Sequence, residues 1–344
     1  MLDDVKLITE RDPANAFAFA THPPKHLAYN FEIARTVQYP GELRNIVFAG
    51  MGGSALPAEF LHTFPTLTVP FIISKEYKVP EFVNEHTLVI CASYSGNTEE
   101  TLAALADAEN RGAAIAIITH GGQLADLARE KHLPLAAIPA CPQPRTAAFY
   151  MYRAACEFLV AARFVEYSVL DELAALSEPL QQVVLSWQPG IPANHNVAKQ
   201  LAEKMQNTTP IIYAGPLMYP AAYKWKIGAN ENAKNTAWCN YYPEMNHNEF
   251  IGWSSHPEQK PFSVIDLISS FEHPRVQKRF VISEKLLQGM RPPAIEVQAH
   301  GGSALEHMLY LILLGDFATT YLAILNNIDP TPVALVEELK KELG

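Results

Sequence analysis

Short apolar runs that alternate with helical patterns are the feature that most constrains the fold of this chain. In the first half, five apolar runs have the length and composition of buried strands: residues 45–49, 71–73, 88–92, 114–118 and 135–138. Helical patterns lie between and after them, for example at residues 98–111, 123–131 and 146–165. Strand–helix alternation of this kind predicts an α/β fold, in which helices cover both faces of a parallel sheet.

A second alternating set follows a break at residues 188–192, where the sequence reads QPGIP. Its predicted strands are residues 211–214, 262–265 and 295–297, and its predicted helices are residues 220–232, 274–287, 305–326 and 333–343. We therefore expect one fold to be used twice, with a connecting helix at residues 170–185 between the copies. The expected organisation is a helical arm (1–40), a first domain (41–168), a linker (169–192) and a second domain with a C-terminal helix (193–344).

Composition and charge argue against several classes of function. The 344 residues are 49% apolar and carry a formal charge of −10, which predicts two globular domains and disfavours binding to a nucleic-acid backbone. The longest apolar run, residues 308–315, stops at Asp316 and is too short to span a bilayer, and we expect no signal peptide. The four cysteines are scattered without a C-x-x-C pair. We expect reduced thiols and a cytoplasmic protein that does not associate with membranes.

A glycine-rich loop follows the first predicted strand, with the sequence GMGGSA at residues 50–55. Glycines allow backbone N–H groups to approach an anion, and a helix that begins near Leu56 adds a positive partial charge. The same glycines also fit a dinucleotide-binding fingerprint. That alternative requires an acidic residue at the end of the second strand, where Ser74 and Lys75 stand instead. The loop therefore favours a phosphate group over NAD, and the alternative is a glycine-rich turn that binds no ligand.

The loop after the third predicted strand has the sequence SYSGNT at residues 93–98. Its two serines and one threonine supply three hydroxyl donors, and Gly96 permits a tight turn. Such a cradle suits a phosphate monoester without any bound metal. The alternative is a helix-capping cluster, in which Thr98 caps the following helix and the serines are solvated.

These two loops together resemble the phosphate site of sugar-isomerase (SIS) domains. The resemblance implies that the substrate phosphate is bound by five residues: Gly53, Ser54, Ser93, Ser95 and Thr98. It also implies two SIS domains in tandem, each a flavodoxin-like parallel sheet. SIS domains occur in isomerases, lyases, synthases and regulators, so they do not define one function.

Motifs in the second half are similar to the bifunctional phosphoglucose/phosphomannose isomerase family. They are NENAK at 230–234, PEMNHNE at 243–249, GDFATTYLA at 315–323 and DPTP at 329–332. Pro144 and Arg145 also fit this family. The resemblance implies an aldose–ketose isomerase that interconverts hexose 6-phosphates through a cis-enediol.

Isomerisation requires a base, a group that opens the sugar ring and a cation near the developing enediolate. The resemblance assigns Glu231 as the base, His247 to ring opening and Arg145 to the enediolate or the base. A lysine of the C-terminal helix assists the ring step in the family, and the register points to Lys340, with Lys341 as the alternative.

The resemblance places Thr331 near C2 of the sugar, where space for both epimers allows mannose 6-phosphate as well as glucose 6-phosphate. It further implies no cofactor and a homodimer with the active site at the subunit interface. No H-E-x-x-H motif or dense His/Cys cluster predicts a metal site. Arg145 has a structural alternative, as a partner of Glu157 or another carboxylate, and Glu244 and Glu249 are expected to be structural.

Two other functions remain open from the sequence. A non-catalytic SIS-domain sensor of sugar phosphates would use the same phosphate loops, but it would have no need of Glu231 and His247. An amino-sugar phosphate isomerase or lyase would also share the phosphate loops, but not the motifs of the second half.

Overall fold

The structure, a computed structural model, describes residues 1–33, 37, 39 and 41–343. These form two compact units. We call His22–Gln181 the central unit, and Met1–Thr21 together with Gln182–Gly344 the terminal unit. The predicted domain boundaries remain a prediction. The predicted helical arm includes residues 34–36, 38 and 40, which lie outside the described residues, and its first 21 residues belong to the terminal unit.

The strands are numbered along the chain. They are β1 Asn45–Gly50, β2 Phe71–Ser74, β3 Thr87–Ala92, β4 Ala114–Thr119, β5 Leu135–Ala137, β6 Thr209–Ala214, β7 Trp238–Tyr241, β8 Phe262–Ile268 and β9 Ile295–Gln298.

The helices are numbered in the same way. They are α1 Val5–Arg11, α2 Ala16–Thr21, α3 Pro23–His26, α4 Leu56–Phe60, α5 Glu99–Asn110, α6 Gly122–Glu130, α7 Ala148–Ala161, α8 Ser168–Ala175, α9 Ser177–Leu185, α10 Val197–Met205, α11 Tyr219–Glu231, α12 Glu249–Gly252, α13 Pro274–Leu286, α14 Ala304–Leu325 and α15 Ala334–Leu343.

The two sheets have the same strand order. In the central unit the order is β2-β1-β3-β4-β5, and every neighbouring pair is parallel. In the terminal unit it is β7-β6-β8-β9, again parallel, which repeats the first four positions of the central sheet. This is the flavodoxin-like order, whose ligand site lies at the carboxyl ends of the two strands where the chain reverses direction across the sheet. The predicted tandem α/β fold is confirmed.

All eight predicted strands form, but the prediction missed β7. Its sequence is Trp238-Cys239-Asn240-Tyr241, and it pairs only with β6 at the edge of the sheet. Trp238 is 60% exposed. An edge strand does not need two buried faces, and β7, unlike the edge strands β2, β5 and β9, lacks the apolar run by which a strand is identified.

Two helix predictions differ from the structure. The predicted helix 146–165 begins as a 3₁₀ turn, Pro144–Ala147, and only then continues as α7. The predicted connecting helix 170–185 is two helices, because Pro179 has no N–H to donate to the carbonyl of Ala175, where α8 ends. Helix α10 was not predicted; its N-cap is Asn196, whose side chain accepts from the backbone N–H groups of Ala198 and Lys199 at 3.1 and 3.2 Å.

Helix α14 is the core of the terminal unit. It is long and apolar enough to cross a membrane by length and composition, but 94% of its most apolar window is buried within the protein, as in the core helix of a water-soluble domain. The helix also continues through Asp316, where the apolar run stops. Asp316 forms an ion pair with Lys224 of α11, which is itself buried, so that the carboxylate is compensated inside the fold.

Helices α11 and α14 approach each other closely through two glycines. A Cβ atom on Gly315 of α14 would overlap the ring of Trp225 on α11. In the opposite direction, a Cβ on Gly228 of α11 would lie 2.6 Å from Oγ1 of Thr319. Trp225 also donates from Nε1 to the carbonyl of Leu311 at 2.6 Å. The absence of side chains at the two glycines therefore sets the distance between the helices.

The first 21 residues are bound to the terminal unit by polar and aromatic contacts. Asp3 accepts from the backbone N–H of Ala193 at 2.7 Å and pairs at 3.2 Å with Lys199, whose side chain is fully buried. The ring of Phe17 lies 4.4 Å from that of Tyr321, centroid to centroid. The segment is thus part of the core of this unit.

We expect Gly315→Ala to destabilise the terminal unit. Alanine favours a helix over glycine by about 1 kcal/mol, but over-packing against Trp225 costs about 1–3 kcal/mol. The net effect should lower the thermal unfolding midpoint by a few degrees. Gly190→Ala is the matched control, because a Cβ there meets nothing within 4 Å. Equal midpoints for the two variants would contradict the close helix contact.

Candidate active site

The loop after β1 forms a tight turn at the carboxyl end of the central sheet. A 3₁₀ turn, Gly52–Ser54, connects β1 to α4, and Gly52 has a φ of +49°, which favours glycine. Ser54 is buried, and its Oγ accepts from the backbone N–H of Tyr94 at 3.0 Å. The hydroxyl proton of Ser54 is therefore available to donate to another acceptor.

The loop after β3 gathers three hydroxyl groups. Oγ of Ser93 lies 2.7 Å from Oγ1 of Thr98 and 3.4 Å from Oγ of Ser95, and it accepts from the backbone N–H of Gly96 at 3.1 Å. Thr98 occupies the N-cap position of α5, but its side chain makes no capping hydrogen bond. The capping alternative for Thr98 is therefore wrong. Its hydroxyl belongs to the cluster with Ser93.

Glycines pack this loop against the loop after β4. Gly96 has a φ of +71°, and a Cβ there would overlap the carbonyl oxygen of Gly121. Gly122 has a φ of +67°, and its Cβ would overlap the carbonyl oxygen of Ser95. Oδ1 of Asn97 accepts from the backbone N–H of Gln123 at 3.0 Å. Sequence reasoning missed this third loop, although a glycine pair directly after a buried strand is a signal that could have identified it.

Tyr94 connects the loops after β1 and β3 to the segment that leads to Arg145. Its hydroxyl donates to the carbonyl of Cys141 at 2.7 Å and accepts from the backbone N–H of the same residue at 2.6 Å. Its ring stacks on His120 at 5.3 Å between centroids. No role was predicted for Tyr94 from the sequence. An aromatic residue between two loop serines was the available signal.

Arg145 lies beside the glycine-rich loop. It belongs to the 3₁₀ turn Pro144–Ala147 and is buried. A Cβ on Gly53 would lie 2.9 Å from the backbone nitrogen of Arg145, so only glycine allows the two segments to come this close. Glu157, the alternative partner considered for Arg145, pairs with Arg153 at 3.1 Å.

The central unit thus brings six of the predicted site residues together at the carboxyl ends of β1 and β3. They are Gly53, Ser54, Ser93, Ser95, Thr98 and Arg145. Hydroxyl and guanidinium donors are suited to an anion with several acceptor oxygens. Within the described residues, no group of three or more His, Cys, Asp or Glu side chains could hold a metal ion.

Glu231 is the last residue of α11 in the terminal unit, and its two asparagine neighbours fix the turn that follows. Asn232 donates to Oγ1 of Thr319 on α14 at 3.0 Å. Asn230 donates to the carbonyl of Asn235 at 2.9 Å. Glu231, which is half-buried, therefore lies in a turn that two asparagine side chains hold.

Thr331 lies in a segment attached to the same turn. Lys234, which has a φ of +48°, donates from Nζ to the carbonyl of Asp329 at 2.6 Å. The carboxylate of Asp329 in turn accepts from the backbone N–H of Thr331 at 2.9 Å. These contacts connect the NENAK motif to the DPTP motif.

His247 is exposed at the end of a 3₁₀ turn, Glu244–His247. Its neighbours hold the turn in place. Glu249 accepts from the hydroxyl of Tyr213 at 2.9 Å and from Asn240 at 2.5 Å, and Glu244 accepts from Asn248 at 2.8 Å. Both glutamates thus have the structural contacts that the sequence analysis expected.

Lys340 lies on α15, which has no buried residue. Its ammonium group pairs with Glu337 one turn earlier at 2.9 Å, and both side chains are exposed. Lys341 is also exposed. The assignment of Lys340 rather than Lys341 to the ring step stays a prediction.

A buried carboxylate lies on β8 of the terminal unit. Burial raises the pKa of Asp266 from 3.8 to about 7. The positive charge of Arg291 opposes this increase, and the negative charges of Glu284 and Glu296 act in the same direction as burial. Oδ1 of Asp266 has no hydrogen-bond partner within the described part of the chain. The ionised form is therefore poorly compensated in the folded protein.

We expect this carboxyl group to make stability depend on pH. Because its folded pKa lies above the unfolded value, its contribution to stability is present below about pH 4 and is lost as the pH rises to about 7. Asp266→Asn should remove this loss, which is on the order of a few kcal/mol. Chemical unfolding between pH 4 and 8 measures it, with the exposed Asp126→Asn as control. The same pH dependence in wild type and Asp266→Asn would contradict the assignment.

The two sheets are parallel and share one strand order, and a cluster of glycines and hydroxyl groups lies at the reversal point of the first sheet. These features define a two-domain SIS protein. The SIS-domain family model matches residues 42–162, and the model of the bacterial phospho-glucose isomerase C-terminal SIS domain matches residues 194–343. A bifunctional phosphoglucose/phosphomannose isomerase of Caldicellulosiruptor bescii is 34% identical over 329 residues, which cover 93% of this chain and 96% of that protein. The chain belongs to the bifunctional phosphoglucose/phosphomannose isomerase family.

Two further comparisons extend this result. A D-glucosamine-6-phosphate 4-epimerase of Sulfolobus acidocaldarius is 33% identical over 228 residues, which cover 66% of this chain and 70% of that protein. A glucose-6-phosphate isomerase-like protein from Thermus thermophilus superposes with a TM-score of 0.66 and 19% identity, and covers 97% of this chain and 99% of that one. At this low identity, the structural likeness supports the fold alone.

Proposed function

We propose that this protein interconverts glucose 6-phosphate and mannose 6-phosphate with fructose 6-phosphate through a cis-enediol. Membership of the isomerase family over nearly the whole chain carries the proposal. The shorter match to an epimerase favours the isomerase reaction over an amino-sugar reaction, because it covers a smaller share of both proteins.

The hydroxyl cluster would bind the substrate phosphate. Ser54 already accepts a hydrogen bond, so its own proton can be donated to a phosphate oxygen. Between Ser93 and Thr98 one hydroxyl proton is used internally, which leaves the other for the substrate. Ser95 is exposed and could add a third donor. Arg145, whose backbone lies beside Gly53, would add a positive charge to this neutral hydroxyl cradle, and such a set of donors suits a phosphate without a bound metal.

The roles of the remaining residues follow the family resemblance. Glu231 would transfer the proton between C1 and C2, and Arg145 would stabilise the enediolate. His247 would open the sugar ring, assisted by Lys340 or Lys341. The rigid turn around Glu231 supports its role, since a base must be held within hydrogen-bond reach of the proton that it removes.

Thr331 would lie near C2, where the two aldose epimers differ. Both epimers pass through the same enediol, so that one base can serve both if the open chain has room to rotate. A small side chain there is consistent with dual specificity. No cofactor enters this scheme, because acid–base chemistry and an electrostatic donor suffice for it.

We further propose a cytoplasmic homodimer with its active site at the subunit interface. All four cysteines are free thiols, and Cys91 and Cys156 are buried, which suits a reducing compartment. Leu335, Leu339 and Leu343 form an exposed apolar row along α15, of the kind that packs against a partner surface.

The decisive experiment starts from fructose 6-phosphate and measures glucose 6-phosphate and mannose 6-phosphate separately. Both products are expected. Binding of fructose 6-phosphate without turnover would support the non-catalytic sensor. Conversion of glucosamine 6-phosphate in a parallel reaction, without either hexose product, would support the amino-sugar alternative.

Glu231→Gln should retain substrate binding and lose at least a hundredfold in kcat, because only proton abstraction is removed. The KM for fructose 6-phosphate should change little. Glu203→Gln, an exposed glutamate of the same unit, makes the same chemical change and should be neutral. A Glu231→Gln variant with more than a tenth of wild-type kcat, a difference of about 1.4 kcal/mol, would exclude Glu231 as the base.

Thr98→Ala should raise the KM for phosphosugars about tenfold, corresponding to the loss of one hydrogen bond to a charged group, about 1.5–3 kcal/mol. Inorganic phosphate should compete with substrate in wild type and more weakly in the variant. Ser168→Ala, an exposed serine of the same unit, is the control. Unchanged inhibition by phosphate in Thr98→Ala would place the phosphate site elsewhere.

A further inference from the structure

The terminal unit contains a loop that corresponds by topology to the glycine-rich loop of the central unit. Strand β6 occupies the same place in its sheet as β1, and the sequence Gly215-Pro216-Leu217-Met218 connects it to α11. Both loops lie at the carboxyl end of the first strand of a flavodoxin-like sheet. In such sheets this is the place where an anionic ligand binds.

The carboxylate of Glu272 already occupies this loop. Oε1 of Glu272 accepts from the backbone N–H of Met218 at 3.0 Å, and the backbone N–H of Leu217 is a second donor to the same carboxylate. A Cβ on Gly215 would overlap the carboxyl carbon of Glu272, so the glycine leaves the space that the carboxylate fills. The residue is only 3% exposed.

Glu272 comes from the loop after β8, which corresponds to the SYSGNT loop after β3. In both loops a buried serine follows the strand directly: Ser93 in the central unit and Ser269 in the terminal unit. Ser269 makes a hydrogen bond of 2.8 Å to Nδ1 of His307 instead of joining a hydroxyl cluster. In the terminal unit the buried serine is thus bound to a histidine, and an acidic side chain occupies the loop after the first strand of the sheet.

We infer that the carboxyl group of Glu272 is a built-in ligand, which fills a small-oxyanion site in the terminal unit and excludes an external oxyanion from it. The inference rests on the buried carboxylate, the two backbone donors and the missing Cβ at Gly215, and it does not depend on the proposed function. Removal of this carboxylate should open a site for a free carboxylate of the same size. The carboxylate also fixes the beginning of α11, whose last residue is Glu231.

The test is chemical rescue of Glu272→Ala by acetate. Acetate has the two carbon atoms and two oxygen atoms that the substitution removes beyond Cβ. The variant should unfold at a lower temperature than wild type, and acetate should raise its midpoint saturably by several degrees, since a ligand stabilises the state that binds it. Sodium chloride at the same ionic strength is the salt control.

Wild type and Glu272→Gln are the matched proteins, because both keep the space filled. The unfolding midpoint of neither protein should rise more in acetate than in sodium chloride at the same ionic strength. If Glu272→Ala does not accumulate in folded form, its refolding yield from denaturant with and without acetate provides the same measurement. No acetate-specific effect on either the midpoint or the yield would overturn the inference, as would an equal acetate response of wild type.

Discussion

The contact between α11 and α14 is the interaction on which the rest of the terminal unit depends. The ring of Trp225 packs against Gly315, and the side chain of Thr319 packs against Gly228. The buried pair of Lys224 and Asp316 links the same two helices. Removal of either charged partner would leave the other buried and uncompensated, at a cost of about 3–5 kcal/mol. The pair therefore fixes how the two helices align, while the glycines fix how closely they approach.

This contact explains why the second-half motifs identify the family better than the glycine-rich loop does. Several of their residues hold the turn around Glu231 in place. Thr319 of the GDFATTYLA motif accepts from Asn232 of the NENAK motif, and Lys234 donates to Asp329 of the DPTP motif. A glycine-rich turn can form in many folds, whereas these interlocking contacts require one particular arrangement of helices.

The sequence predicted the parts of the fold that depend on local pattern. Apolar runs identify the central strands and also the edge strands β2, β5 and β9, whereas the edge strand β7, which contains Asn240 and an exposed Trp238, has no such run. Contacts between distant residues leave no local pattern. Tyr94 and Cys141 are 47 residues apart, and Asp3 and Lys199 are 196 apart, so neither the link to Arg145 nor the place of the first 21 residues was predictable. The hydroxyl cluster was predicted by composition, but the choice between capping and clustering for Thr98 required the geometry.

The fold is duplicated, but the contacts at the carboxyl ends of the corresponding strands differ between the two units. In the central unit, hydroxyl groups at the carboxyl ends of β1 and β3 keep protons that an external anion can accept. In the terminal unit, the corresponding backbone N–H groups are satisfied by a carboxylate of the same chain. A buried donor without an acceptor costs about 1–3 kcal/mol, so a copy of the loop that binds no substrate needs an internal acceptor. Glu272 meets that need, and it also holds the beginning of α11, the helix that ends at Glu231.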